Sequence, residues 1–158
     1  MKALFITLIF LPAYGFCQTA IFENEDFRLE LTVDGSIDSL AINFALLNKT
    51  NRSFYFERRV PASVNWSKGG NLSIVQLGTD LKSFNEFEFP VTQVKPNTTF
   101  KTKVSSKYLR DNLNLKLKIS FYKAEESKLS DLLNTAIRDK SGSWVWSEYY
   151  FPFSLSRK

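Results

Sequence analysis

The chain has 158 residues, 44% of them hydrophobic, with a net charge of +5 and no histidine. That length supports one good core and not two, and so mild a positive balance is not the footprint of a nucleic-acid binder. The missing histidine excludes the Ser-His-Asp triad, Cys-His pairs and histidine zinc sites, along with the commonest general base.

Met1-Lys2 is a short positive start, Ala3 to Leu11 is almost wholly apolar, and Pro12 breaks the run before Ala13-Tyr14-Gly15-Phe16-Cys17-Gln18. This is the layout of a secretory signal peptide. Its apolar stretch is shorter than the about 20 residues a bilayer span needs. Cleavage after Cys17, with Gly15 at minus three, leaves Gln18 as the first residue; a cut after Gly15 is the alternative. Lipidation of Cys17 needs a small residue before it, and Phe16 is bulky. Cys17 is the one cysteine, so the mature chain has no thiol and no disulfide, and its stability rests on the core. The expected organisation is a signal peptide over 1–17 and a single domain over 18–158. The domain is exported to the periplasm, cell surface or medium and has no membrane-spanning segment.

Period-2 alternation then recurs. Phe27, Leu29, Leu31 and Val33 alternate with polar residues up to the turn dipeptide Asp34-Gly35. Leu40, Ile42, Phe44 and Leu46 form the next apolar face, and Asn48-Lys49-Thr50-Asn51 breaks it. Phe54 and Phe56 follow, then Pro61 to Trp66, then Gly69-Gly70. Leu72 and Ile74 share one parity and Val75 and Leu77 the other, which predicts a bulge or burial on both sides. Phe87, Phe89 and Val91 alternate with Glu86 and Glu88, and Pro96-Asn97 opens a turn before Phe100, Thr102 and Val104. Leu113, Leu115, Leu117, Ile119 and Phe121 make the clearest strand. Each run is the signature of an antiparallel strand with one buried face.

Leu129, Leu132, Leu133, Ala136 and Ile137 break the pattern. Their spacing predicts a short amphipathic helix over about 125–139, with acidic residues early and basic residues late, as the helix dipole favours. Ser141-Gly142-Ser143 ends it. The last strand is aromatic on both parities. Val145, Tyr149, Phe151, Phe153 and Leu155 share one; Trp144, Trp146, Glu148 and Tyr150 share the other.

Seven or more short strands with turn signals between them read as all-β, an antiparallel β-sandwich with one helix before the last strand. The strand Leu40 to Leu47 running into Asn48-Lys49-Thr50, and the Val94-Lys95-Pro96-Asn97-Thr98-Thr99-Phe100 turn-to-strand element, resemble an immunoglobulin-like sandwich. The likeness is to secreted bacterial domains of proteinase-inhibitor-like layout, and Asn97 stands where they usually have glycine. It covers about residues 27–122. It implies a fold and no functional residue, because such folds host many functions.

The candidate chemistry is sparse. Ser120-Phe121-Tyr122-Lys123 spells S-x-x-K, but on a strand residues three apart point to opposite faces. Glu86 and Glu88 share a strand face about 7 Å apart, a spacing that suits a hydrolytic carboxylate pair; a solvated strand face is the plainer reading. Lys101, Lys103, Lys116 and Lys118 form a basic patch for acidic glycans if their two strands share a sheet. Asn48, Asn51, Asn65, Asn71 and Asn97 each begin an N-x-S/T sequon, and Asp38-Ser39-Leu40 has the form of a bacterial O-glycosylation motif, with Ser39 as acceptor. The best binding candidates are Trp144, Trp146 and Tyr150, which suit sugar stacking or a protein anchor if the 125–139 helix does not cover them. Trp66, beside Ser67-Lys68-Gly69-Gly70, is a weaker one at a loop tip. The expectation is a non-enzymatic, exported interaction domain with an unidentified protein partner. Carbohydrate binding is the alternative, a carboxylate hydrolase ranks third, and no cofactor, metal or nucleic acid is implied.

Overall fold

A computed structural model of the protein describes residues 9–10, 16–35, 39–57, 62–66, 72–78, 91–107, 112–126 and 141–154. All the regular structure in them is β. Eleven strands follow in chain order: β1 (Ile9–Phe10), β2 (Phe16–Glu23), β3 (Phe27–Gly35), β4 (Ser39–Asn48), β5 (Ser53–Glu57), β6 (Ala62–Trp66), β7 (Leu72–Gly78), β8 (Val91–Val94), β9 (Thr99–Lys107), β10 (Asn112–Ala124) and β11 (Ser143–Ser154). They form two sheets. One is five-stranded, in the order β1-β2-β3-β4-β9; the other has six strands in the order β6-β7-β10-β5-β8, with β11 paired to β10.

The sheets share one core because period-2 alternation turns one face of each strand inward. Ala20 and Phe22 of β2, Leu29 and Leu31 of β3 and Phe44 and Leu46 of β4 come from the first sheet; Phe54, Val75, Leu117, Ile119 and Phe121 come from the second. Aromatic rings cross between them. Phe27 meets Phe121 edge-on at 5.9 Å, Phe56 meets Phe100 edge-on at 5.1 Å, and Phe22 lies tilted on Tyr149 at 4.6 Å. Phe22, Phe27, Phe56 and Phe121 are fully buried, and each such ring contributes about 1.5–3 kcal/mol by burial.

β10 organises the second sheet. β11 runs antiparallel along one of its edges for its whole length, from Asn112↔Ser154 to Lys123↔Ser143. The other edge is shared, by β7 opposite Asn114–Ser120 and by β5 opposite Tyr122–Ala124. Gly78 makes the handover. Its φ of +91° belongs to glycine, and a Cβ there would stand 1.9 Å from the Ser120 carbonyl oxygen. Only a residue without a side chain lets β7 end so close to β10 and leave room for β5. β7 runs parallel to β10, which corrects the expectation of a purely antiparallel fold. Parallel neighbours need a long crossover, and here the intervening chain includes β9 of the other sheet. β7 has no bulge: its registers with β6 and β10 are unbroken, and half-buried Ile74 lies on the face opposite buried Val75.

One end of the molecule is tied by a polar node. Asn48, at the end of β4, is fully buried. Its Nδ2 donates to the Arg52 carbonyl at 2.7 Å and the Val94 carbonyl at 3.0 Å, and its Oδ1 accepts from Thr50 N at 2.9 Å and Thr50 Oγ1 at 2.8 Å. Its backbone N–H donates to Thr98 O, and its carbonyl accepts from Asn97 N. Asn97 has a φ of 55°, and asparagine is among the side chains that best tolerate this left-handed region. Ion pairs Lys49–Glu23, Arg52–Glu125, Lys95–Glu126 and Lys123–Asp26 staple the turns at this end.

The helix expected over about 125–139 does not begin where the spacing put it. Glu125 and Glu126 follow β10 without helical structure. Their carboxylates reach Arg52 and Lys95, and the Glu125 carbonyl accepts from the Tyr55 hydroxyl at 3.0 Å, contacts that hold this backbone to the sheet. Residues 127–140 lie outside the described residues. The expected cut after Cys17 falls inside β2, whose register runs unbroken from Phe16↔Gly35 to Glu23↔Arg28. Cleavage there would leave β2 as residues 18–23 and remove β1.

Candidate functional site

The β10–β11 register sets the aromatic face. It pairs Trp144 with Tyr122, Trp146 with Ser120, Glu148 with Lys118 and Tyr150 with Lys116. Val145 is buried in the core and Tyr149 packs against it, so the even-numbered residues face outward. The two tryptophans fare differently. Trp144 is half-buried and meets the Tyr122 ring edge-on at 5.3 Å, in a small cluster with Tyr55, Ala124 and Val91. Trp146 is 55% exposed, the one large hydrophobic side chain so open among the described residues. The sequence joins Tyr150 to the same face, and its side chain lies outside the described residues.

Next to Trp146 the face is charged. Glu148 accepts from Lys116 at 2.5 Å and lies 3.6 Å from Lys118. The hydrogen bond from Lys116 holds its carboxyl below the usual carboxylate range; partial burial opposes this, and the two ammonium charges reinforce it. The Tyr122 hydroxyl accepts from the Gly142 N–H at 2.9 Å. Burial pushes this phenol up, and the Gly142 hydrogen bond opposes the shift. Gln93 Nε2 donates to Tyr55 Oη at 3.2 Å and to Ser53 Oγ at 3.1 Å, closing the polar edge of the aromatic cluster.

β11 is an edge strand: among the described residues it pairs with β10 alone. Its outer rim offers backbone groups to an incoming strand. Pro152 stands opposite Asn114 near its end, and proline in a strand is tolerated where its nitrogen faces a free edge.

No family, curated protein or solved structure matches this chain. The site therefore rests on its geometry.

The other candidates scatter. Ser120 and Lys123 lie on opposite faces. The Ser120 Oγ is buried, without a hydrogen-bond partner among the described residues, while Lys123 Nζ donates to Asp26 at 2.6 Å. Glu86 and Glu88 lie outside the described residues. The four-lysine patch divides: Lys101 and Lys103 are on β9 of the five-stranded sheet, and Lys116 and Lys118 are on β10 of the other. Trp66 ends β6 opposite Ser73, and Ser39 opens β4 opposite Lys107; their side chains are outside the described residues. Of the sequon asparagines, Asn48 is buried with its amide nitrogen donating twice, while Asn51 and Asn97 are exposed. Among the described residues no three His, Cys, Asp or Glu converge as metal ligands, and no helix is long and apolar enough to cross a membrane.

Sequence reasoning did not single out one feature of the opposite sheet. A groove of about 450 Å³ on its outer face is lined by Glu30, Thr32, Asn43, Ala45, Lys101 and Lys103. The two lysines stood out in the sequence for their charge. Glu30 reads there as an ordinary outward residue of an alternating strand.

Proposed function

We propose that this protein is an exported, immunoglobulin-like β-sandwich domain that binds a protein partner along β11 and carries out no catalysis of its own. The observation that carries the reading is Trp146, 55% exposed on an edge strand. Tryptophan is enriched at the centres of protein interfaces because it buries 150–250 Å² on association. An unpaired strand edge adds main-chain hydrogen bonds to an incoming extended segment. Trp144, braced on Tyr122, gives the exposed ring a firm neighbour. The immunoglobulin-like layout is supported by two sheets around one core and by Asn97 taking the backbone conformation that glycine favours. Export is supported by the leader-like residues 1–17. The absence of catalysis is supported by the lack of histidine and by Ser120 and Lys123 facing apart.

Carbohydrate binding is the second reading. It is favoured by the Lys116–Glu148–Lys118 group beside Trp146, which suits hydroxyl recognition next to a stacking ring. Among the described residues, the packing of Trp144 against Tyr122 leaves one open ring, where a sugar platform uses two.

The test is affinity capture from the source organism's envelope extract with wild-type and Trp146→Ala baits. It is followed by hydrogen exchange on the complex formed with the captured partner. One protein retained by wild type and lost by the variant, with new protection at β11, supports the proposal. Equal capture by both baits refutes the β11 surface. Retention of polysaccharide alone favours the second reading.

A further inference from the structure

The charges of the described residues are mostly spent on one another. Lys49, Arg52, Lys95, Lys116, Lys118 and Lys123 each reach a carboxylate. Lys101, Lys103 and Glu30 are different. Among the described residues they have no ion pair, and all three line the groove on the outer face of the five-stranded sheet.

The register explains the shape. Glu30 pairs with Ala45, and Ala45 pairs with Lys101, so the three form one row across β3, β4 and β9. Thr32, Asn43 and Lys103 form the next row. With strands about 4.8 Å apart, the acidic and basic walls stand about 10 Å from each other. The floor between them is low because β4 shows only the methyl of Ala45 there. Asn43 is drawn away from the gap, its Nδ2 donating to Asp34 at 2.9 Å, and Thr32 Oγ1 lies 3.3 Å from Thr19 Oγ1. Two other charges of β3 have no ion pair among the described residues and do not line the groove: Arg28, a row further on opposite Leu47, and Asp34, a row beyond Thr32 opposite Ala41, whose carboxylate accepts from Asn43 Nδ2.

We propose that this groove binds a small aminoalkyl phosphate, a molecule with a phosphate monoester at one end and a primary ammonium at the other. Lys101 and Lys103 lie about 7 Å apart along one strand face, close enough for two flexible ammonium groups to converge on a single anion. A phosphate monoester carries about −1.5 to −2 charges at neutral pH and three acceptor oxygens, so it can occupy both; a carboxylate offers a single charge. Glu30, across Ala45, receives the ammonium end. Two lysines and one glutamate give the lining a charge of +1, which complements a ligand of net charge about −1. Glu30 also repels an anion that brings no cation, and this sets the orientation and the preference. The groove belongs to the sheet opposite Trp146, so the proposal stands apart from the β11 reading.

The test is an amide NMR titration of the full chain with O-phosphoethanolamine. Inorganic phosphate, ethylammonium chloride and phosphatidylethanolamine vesicles are run separately. The expected result is saturable shifts at Ala45, Lys101 and Lys103, with phosphoethanolamine binding about 2- to 5-fold more tightly than phosphate, the size of one exposed ion pair. Glu30→Gln removes that preference. Lys101→Met/Lys103→Met abolishes saturation, and Ala45→Phe, a change on the outer face, blocks it by filling the floor. Raising ionic strength weakens binding. Equal affinity for phosphate and phosphoethanolamine in the wild type overturns the proposal. So do shifts that survive both the lysine double variant and Ala45→Phe in folded protein. Binding to vesicles with no response to the soluble compound overturns it in favour of a membrane surface.

Discussion

Asn48 offers the sharpest test of how this fold is held. Replacing it with alanine removes four side-chain hydrogen bonds at once. Two of the partners keep each other, since Thr50 Oγ1 donates to the Arg52 carbonyl at 2.9 Å. The Val94 carbonyl and the Thr50 N–H lose Asn48 with no such replacement. Each buried polar group left unsatisfied costs about 1–3 kcal/mol. Water can reach part-buried Thr50 more readily than the buried Val94 contact, so the expected loss is about 2–5 kcal/mol, a large share of the stability of a domain this size. Urea denaturation followed by tryptophan fluorescence measures it. With a slope of about 2 kcal/mol/M the midpoint falls by about 1–2.5 M. Asn51→Ala, next to the same turn but exposed, changes stability by less than about 0.5 kcal/mol. Asn48→Asp separates donors from size. It keeps the two acceptor contacts and turns a carboxylate oxygen toward the Arg52 and Val94 carbonyls. Burial raises that carboxyl's folded pKa above its unfolded value of about 3.9. Its deficit is therefore smallest at acid pH, where the protonated group can donate, and grows as pH rises through the raised value. A loss below 1 kcal/mol for Asn48→Ala, or an Asn48→Asp deficit that does not grow with pH, would refute the account of the node.

Gly78→Ala should destabilise by at least about 2 kcal/mol in the same assay, because positive φ and the collision with the Ser120 carbonyl act together; a neutral result would mean β7 need not end against β10 as described. Trp146→Ala should leave the urea midpoint nearly unchanged, whereas Trp144→Ala should lower it by about 1–2 kcal/mol equivalent through the lost contact with Tyr122. The Glu148 carboxyl titrates below the ordinary glutamate range because Lys116 donates to it. A lowered folded pKa gives stability that is present above the unfolded value and lost as pH falls through the folded one. The difference between wild type and Glu148→Gln should therefore shrink on acidification, and NMR titration of the carboxyl carbon reports the shift directly.

Much of the strand pattern was legible because period-2 burial is a local property. Phe27 to Val33, Leu40 to Leu46 and Leu113 to Phe121 each alternate over a full strand, and each appears as one. β2 was not legible: its inward residues are Ala20 and Phe22, a weak alternation soon after the apolar run of residues 3–11. The direction of β7 was hidden for another reason. A strand buries the same residues whether its neighbour runs parallel or antiparallel, and the crossover that decides this is spread over the chain between β7 and β10. At Glu125 and Glu126 local spacing and tertiary contacts disagreed. The residues suit a helix start, but Arg52 and Lys95 on other turns claim their carboxylates.

The candidate sites divide along the same line. Parity alone put Trp144, Trp146 and Glu148 on one face of β11. Which ring stays open depends on Tyr122 standing opposite Trp144 and small Ser120 opposite Trp146, a matter of register between strands about twenty-five residues apart. The lysines at 101, 103, 116 and 118 look alike in the sequence. The sheets assign two to Glu148 and leave two on β9, Lys101 in the row of Glu30 across Ala45 and Lys103 in the row of Thr32 across Asn43. The amino-acid sequence by itself determined the β class, the inward and outward residues of most strands, and the Asn97 turn, because sterics and burial act over a few neighbours. Strand direction, the partner of each charge and the exposure of each tryptophan were decided only by the tertiary structure, because they depend on which distant strand is hydrogen-bonded alongside.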